Sequence, residues 1–109
     1  MLFRSGDQSG VADCAENLGN VAYQQHNYDE ARKLLSYAIE QYCALGYVRE
    51  RAACIKILGH VESVCEDYEK ARAYYMEAID LYEEMGDSDG SERCQREVDE
   101  LPQPFEQNS

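Results

Sequence analysis

The chain has 109 residues, 44% of them hydrophobic, no tryptophan, and two prolines that both lie near its end. That is one domain, near the lower limit of what buries a self-sufficient core, and no apolar run approaches the roughly 20 residues that cross a bilayer. A net charge of −12 repels nucleic-acid phosphates and anionic lipid, which argues against both as ligands and favours a basic partner.

Met1–Arg4 is too short for a signal sequence, so a cytoplasmic address is expected. The first helix is expected over Val11–Gln25. Asn27 then stands as an N-cap, with Glu30 three residues on in a capping-box pattern. Ala31, Leu34, Leu35, Ala38, Ile39 and Tyr42 follow at spacings of three and four, an apolar stripe on a second helix that Gly46 ends. A third helix is expected over Val48–Cys65. Asp67 caps a fourth, whose stripe is Ala71, Tyr74, Tyr75, Ala78, Ile79 and Tyr82 and whose stop is Gly86. A closing helix is expected over Ser91–Leu101, halted by Pro102, and residues 102–109 read as a disordered tail.

These elements repeat with a period of 40. Gly6, Gly46 and Gly86 align, as do Cys14, Cys54 and Cys94; Leu18-Gly19 aligns with Leu58-Gly59, and Val21 with Val61. Tyr28, Ala31, Arg32, Ala38, Ile39 and Tyr42 align with Tyr68, Ala71, Arg72, Ala78, Ile79 and Tyr82. Self-similarity at such a period marks a stacked repeat protein. The expected fold is therefore all-α: an α-α superhelix of two helix hairpins, about 11–46 and 51–86, closed by a polar capping helix, in one domain over 1–101. The five cysteines have no zinc or paired-thiol spacing; Cys14, Cys54 and Cys94 read as small buried thiols filling one slot per repeat.

The charge is uneven. Through Val61 there are seven acidic against six basic residues, a net of −1; from Glu62 onward there are fifteen against four, a net of −11. A solvated outer face and an attraction for a cationic partner are both consistent with that asymmetry. No nucleophile elbow, phosphate loop or paired His-Glu motif occurs. His60 stands alone, since Glu62 and Cys65 do not share a metal-binding face with it. Asp87-Ser88-Asp89-Gly90 lacks the remaining calcium-loop ligands and the closing glutamate. No catalytic residue, metal or cofactor is expected.

The Leu-Gly pair in each first helix, the alanines seven apart in each second helix, and the tyrosines opening the second helices together resemble the tetratricopeptide repeat. The resemblance covers residues 11–101, with Leu-Gly-x-Val…Tyr-x-x-Ala-Arg…Ala-Ile occurring twice in register. The period exceeds the usual 34 of that family. It is similar to the longer variants of kinesin light chains and of leucine-glycine-asparagine repeat proteins, the latter at Leu18-Gly19-Asn20. The chain departs from that triplet at His60 and again at Val98-Asp99-Glu100.

In such arrays the first helices line a concave groove that binds a partner peptide. The resemblance places Asp13, Glu16, Asn20, Tyr23, Gln24, Lys56, His60, Ser63 and Arg93 in that groove. Asn20 both donates and accepts hydrogen bonds, and Tyr23 is a residue type enriched at binding hot spots. Glu16 stands where a clamp for a C-terminal carboxylate needs a lysine. The expected function is a protein-interaction module for a basic peptide. The alternative is a scaffold segment of a larger repeat or signalling protein that self-associates through its N-terminal edge. At that edge Leu2, Phe3 and Gly6 align with Tyr42, Cys43 and Gly46, the tail of a second helix.

Overall fold

The computed structural model describes residues 4–102, with side-chain surroundings from residue 10 onward. Leu2, Phe3 and the tail 103–109 lie outside the described residues. Within them the chain is five helices: α1 Arg4–Gln24, α2 Tyr28–Leu45, α3 Val48–Val64, α4 Tyr68–Glu84 and α5 Ser88–Glu100. The helices pack in chain order, α1 on α2 and α3 on α4 as hairpins, with α2 on α3 and α4 on α5 joining them. This is the α-α superhelix of two hairpins and a closing helix.

Every inter-helix turn uses one device. The backbone N–H of Asn27, Tyr47, Asp67 and Asp87 reaches back to the carbonyl of Ala22, Tyr42, Glu62 and Tyr82 respectively, at 2.7–2.9 Å. The residue before each donor is left-handed: His26 (φ 65), Gly46 (φ 76), Glu66 (φ 67) and Gly86 (φ 75). That is the Schellman arrangement, which satisfies the last carbonyls of a helix. Glycine marks it in the sequence after α2 and α4. After α1 and α3 a histidine and a glutamate accept the left-handed strain, which no sequence pattern announces.

Two helix starts and one cap differ from expectation. α1 starts at Arg4, seven residues early, and runs straight through Gly6. Gly46 and Gly86 take left-handed φ where the next helix folds back, whereas Gly6 stays within α1. Asn27 makes no side-chain cap bond, whereas Asp67 accepts from Lys70 N at 3.3 Å. α5 starts at Ser88 because Asp87 caps it, accepting from Gly90 N at 3.0 Å. Asp87 also takes Arg49 Nη1 at 2.7 Å, and these donors hold its carboxyl below the usual range. Its acidity is thus spent on a helix end and an ion pair.

The glycines of the first helices are contact points. A Cβ on Gly19 would stand 2.8 Å from Leu35 Cγ, and one on Gly59 would stand 2.6 Å from the Tyr75 ring. Ala31, Ala38, Ala71 and Ala78 are fully buried, so small residues on both helices let the backbones approach. Two clusters result, one around Leu35, Tyr42 and Leu58, the other around Tyr75, Tyr82 and Cys94, with Ile39 and Tyr74 touching both. Cys54 and Cys94 fill their buried slots, but Cys14 is exposed. The reason is position: nothing described packs on the side of α1 that faces away from α2. Among the described residues no helix is long and apolar enough to cross a membrane.

Candidate functional site

The hairpin order sets the C-terminal half of α1, the C-terminal half of α3 and the middle of α5 around one open cleft. Tyr23, His60, Ser63, Val64, Tyr75 and Glu97 line it, enclosing about 250 Å³. Tyr75 comes from α4, its ring seated on the bare backbone of Gly59. The notch that lets the hairpin close therefore also brings the Tyr75 ring to the cleft floor.

The three rings adjoin one another, Tyr23 and His60 half-buried and Tyr75 buried. His60 meets Tyr75 edge-on at a centroid distance of 5.6 Å and Tyr23 at 6.3 Å. Tyr28 extends the series beyond Tyr23 at 6.2 Å. Opposite lies Glu97, whose Oε2 is 3.6 Å from His60 Nε2, beyond hydrogen-bond reach. His60 Nε2 is buried without a hydrogen-bond partner. Burial pulls the His60 pKa down, aided by the charge of Lys56 and opposed by Glu97. The imidazole is therefore neutral near pH 7, with the Glu97 side chain across the cleft from it. Burial raises the Tyr23 hydroxyl, with Tyr28 and Glu97 adding to it, so this ring stays a neutral donor.

Of the nine residues expected in a groove, the cleft unites Tyr23, His60 and Ser63, with Lys56 one turn before His60. Asn20 is half-buried and Gln24 exposed on the same helix as Tyr23. Asp13 and Glu16 are committed elsewhere: both take the Tyr42 hydroxyl, Glu16 Oε1 at 2.8 Å. Burial and these two carboxylates push the Tyr42 hydroxyl far above its usual range. With burial first and Glu16, Glu50 and Asp13 after it, the Cys54 thiol is pushed up to about 12. Asp13, exposed, and Glu16, half-buried, thus form a polar seam at the edge of the α1–α2 contact. Arg93 is exposed and pairs with Asp89 of its own helix at 3.3 Å.

Three lining residues escaped sequence reasoning. Tyr75 reads there as one more member of an apolar stripe, and Val64 as an ordinary helix-end residue. Glu97 carried a usable signal. It occupies the position equivalent to Ile57, an acid where the preceding repeat has an apolar residue.

The family model described as soluble NSF attachment protein, SNAP, matches residues 10–107. A comparison with curated proteins gives no match.

Proposed function

The chain belongs to the soluble NSF attachment protein family, and from that premise we propose that its cleft captures a basic segment of a protein partner. The tetratricopeptide-like helical repeat is a protein-interaction fold, and this one offers a shaped, part-aromatic recess. The single observation that carries the reading is Glu97 sharing the cleft with the half-buried Tyr23 and His60 rings. A carboxylate opposite aromatic faces suits a lysine or arginine side chain, attracted by charge and by the ring quadrupoles. The net of −11 from Glu62 onward steers a cation to the same end of the molecule. Asn20, one helical turn from Tyr23, supplies an amide for the partner's backbone, as the leucine-glycine-asparagine resemblance implies.

The family name describes attachment to NSF, which makes an NSF-containing assembly the first partner to try, in a cytoplasmic setting. The proposed role is adaptor rather than catalyst. An array of lysine- and arginine-rich peptides, probed with the parent chain and with Asn20→Ala/Tyr23→Ala, tests it. Loss of capture in the double variant, with helicity unchanged by circular dichroism, supports the cleft. Equal capture by the two proteins removes it.

A further inference from the structure

We infer that capture of a basic segment in the cleft, the reading proposed above on which this one rests, is gated by a proton on His60. The neutral imidazole leaves Glu97 to the partner's lysine or arginine. The imidazolium takes Glu97 for itself and releases the partner.

The contact between the two residues is one small movement from closing. His60 Nε2 stands 3.6 Å from Glu97 Oε2, just past the length of a hydrogen bond. Nε2 is buried and has no hydrogen-bond partner, a state that buried polar atoms seldom keep. The imidazole is held in place, with the Tyr75 ring edge-on at 5.6 Å and the Tyr23 ring at 6.3 Å. Glu97 is the movable member: its side chain is 42% exposed, and among the described residues His60 is the one group it pairs with. Its neighbours on α5 are committed to one another, Gln95 donating to Asp99 at 3.1 Å and Arg93 pairing with Asp89 at 3.3 Å. A turn of the Glu97 carboxylate gives His60 Nε2–H an acceptor, or gives one to a partner's cation. The second carboxylate oxygen does not lift the conflict, because an imidazolium and a cation on one carboxylate are like charges close together in a half-buried site.

The helices packed around His60 all bear on that choice. Lys56 of its own helix and the burial of the ring disfavour the imidazolium, and Glu97 of α5 favours it. Tyr23 of α1 and Tyr75 of α4 stay neutral, since burial raises both hydroxyls. Glu97 is thus the group that supports the imidazolium, and a cation seated on Glu97 withdraws that support. By linkage the converse has equal weight: the proton that His60 takes up lowers the partner's affinity by the same factor. Burial places the change below the ordinary 6.5 of a histidine, so the cleft is open near neutral pH and closes in acidic solution.

Isothermal titration calorimetry of the full chain with a short lysine- and arginine-rich peptide, stepped from about pH 7.5 to about pH 5, tests the gate. The His60 ring protons are followed by nuclear magnetic resonance in the same samples. The dissociation constant is expected to stay level down to the His60 midpoint and then to rise by up to about tenfold per pH unit. In His60→Gln it should change several-fold less over the same range. The peptide should lower the His60 midpoint in the parent, and Glu97→Gln should lower it with no peptide present. Capture that weakens in parallel in the parent and in His60→Gln overturns the gate and leaves the basic-segment reading standing. A His60 midpoint that neither the peptide nor Glu97→Gln moves does the same. No capture at neutral pH removes the reading and the gate together. Loss of helicity above the His60 midpoint overturns the gate as well.

Discussion

Arg32 of α2 grips Glu62 of α3 with two hydrogen bonds across the junction between the hairpins, Nε to Oε2 at 2.8 Å and Nη2 to Oε1 at 3.2 Å. One repeat later Arg72 makes the equivalent reach of thirty residues, donating from Nη2 to the Pro102 carbonyl at 3.1 Å. An arginine on each second helix thus latches the next structural unit. The first latch closes on a carboxylate that is 3% exposed, the second on a backbone oxygen.

Removing one half of the first latch strands a buried charge. Arg32→Met is expected to lower stability by about 2 kcal/mol, less than a fully buried pair because the Arg32 side chain is 34% exposed. Arg32→Met/Glu62→Leu should recover most of that loss, since no charge is then left unpaired. Urea unfolding midpoints of the two variants decide the matter. A double variant no better than the single one contradicts it.

The Gly59 notch makes a second prediction. Alanine there gains about 1 kcal/mol of helix propensity but drives its methyl to within 2.6 Å of a rigid, 1% exposed ring, an overpacking cost of about 1–3 kcal/mol. Gly59→Ala is expected to be net destabilising. Gly10→Ala, also in a helix but with open space around it, should be stabilising by up to about 1 kcal/mol. Thermal melts at low protein concentration compare the two directly.

The pH dependence of stability has a component from His60. Its folded pKa lies below the ordinary 6.5, so between the two values the unfolded chain holds a proton that the fold does not. Stability is therefore full above about pH 6.5 and falls as pH drops from there toward the folded value. Lys56 on its own helix reinforces this, Glu97 on α5 opposes it, and Tyr23 and Tyr75 face the ring as neutral groups. Urea midpoints from pH 7.5 to 5.5 should decline more steeply for the parent than for His60→Gln. Parallel declines would contradict the assignment.

Thiol chemistry follows the exposure pattern. With dilute native protein at pH 8, Cys14, Cys43 and Cys65 should be alkylated, and Cys54 and Cys94 protected. The Cys54 thiol, pushed up to about 12 by burial and nearby carboxylates, is expected to react last of all. Mass spectrometry of the partly alkylated chain reads the order. Early labelling of Cys54 would mean that the α1–α3 junction opens.

The closing of the hairpins was legible because the contacts that make it recur. Gly19 with Leu35 and Gly59 with Tyr75 are the same notch at the same separation, and a period written twice in the chain is visible without coordinates. What occurs once was not. Glu62 has Pro102 as its repeat counterpart, so no pattern predicted its pairing with Arg32. The left-handed His26 and Glu66 carry no glycine to announce them. The pairing of Asp13 and Glu16 with the Tyr42 hydroxyl was not legible either, because helical periodicity counts Tyr42 only as apolar bulk. Half of the cleft was visible as polar residues on α1 and α3. Of the other half, Tyr75 lies on a second helix that the resemblance keeps out of the groove, Val64 reads as an apolar helix end, and Glu97 lies one turn beyond Arg93, the closing-helix residue that the resemblance offers.

The basic-peptide cleft is tested most directly by a titration of isotope-labelled chain with a short lysine- and arginine-rich peptide, followed by nuclear magnetic resonance and repeated with Glu97→Gln. The expected shifts centre on Tyr23, His60, Ser63, Tyr75 and Glu97, weaken at higher salt, and shrink at least several-fold in the variant. Shifts that instead fall outside the cleft, or that persist undiminished in Glu97→Gln, would contradict it.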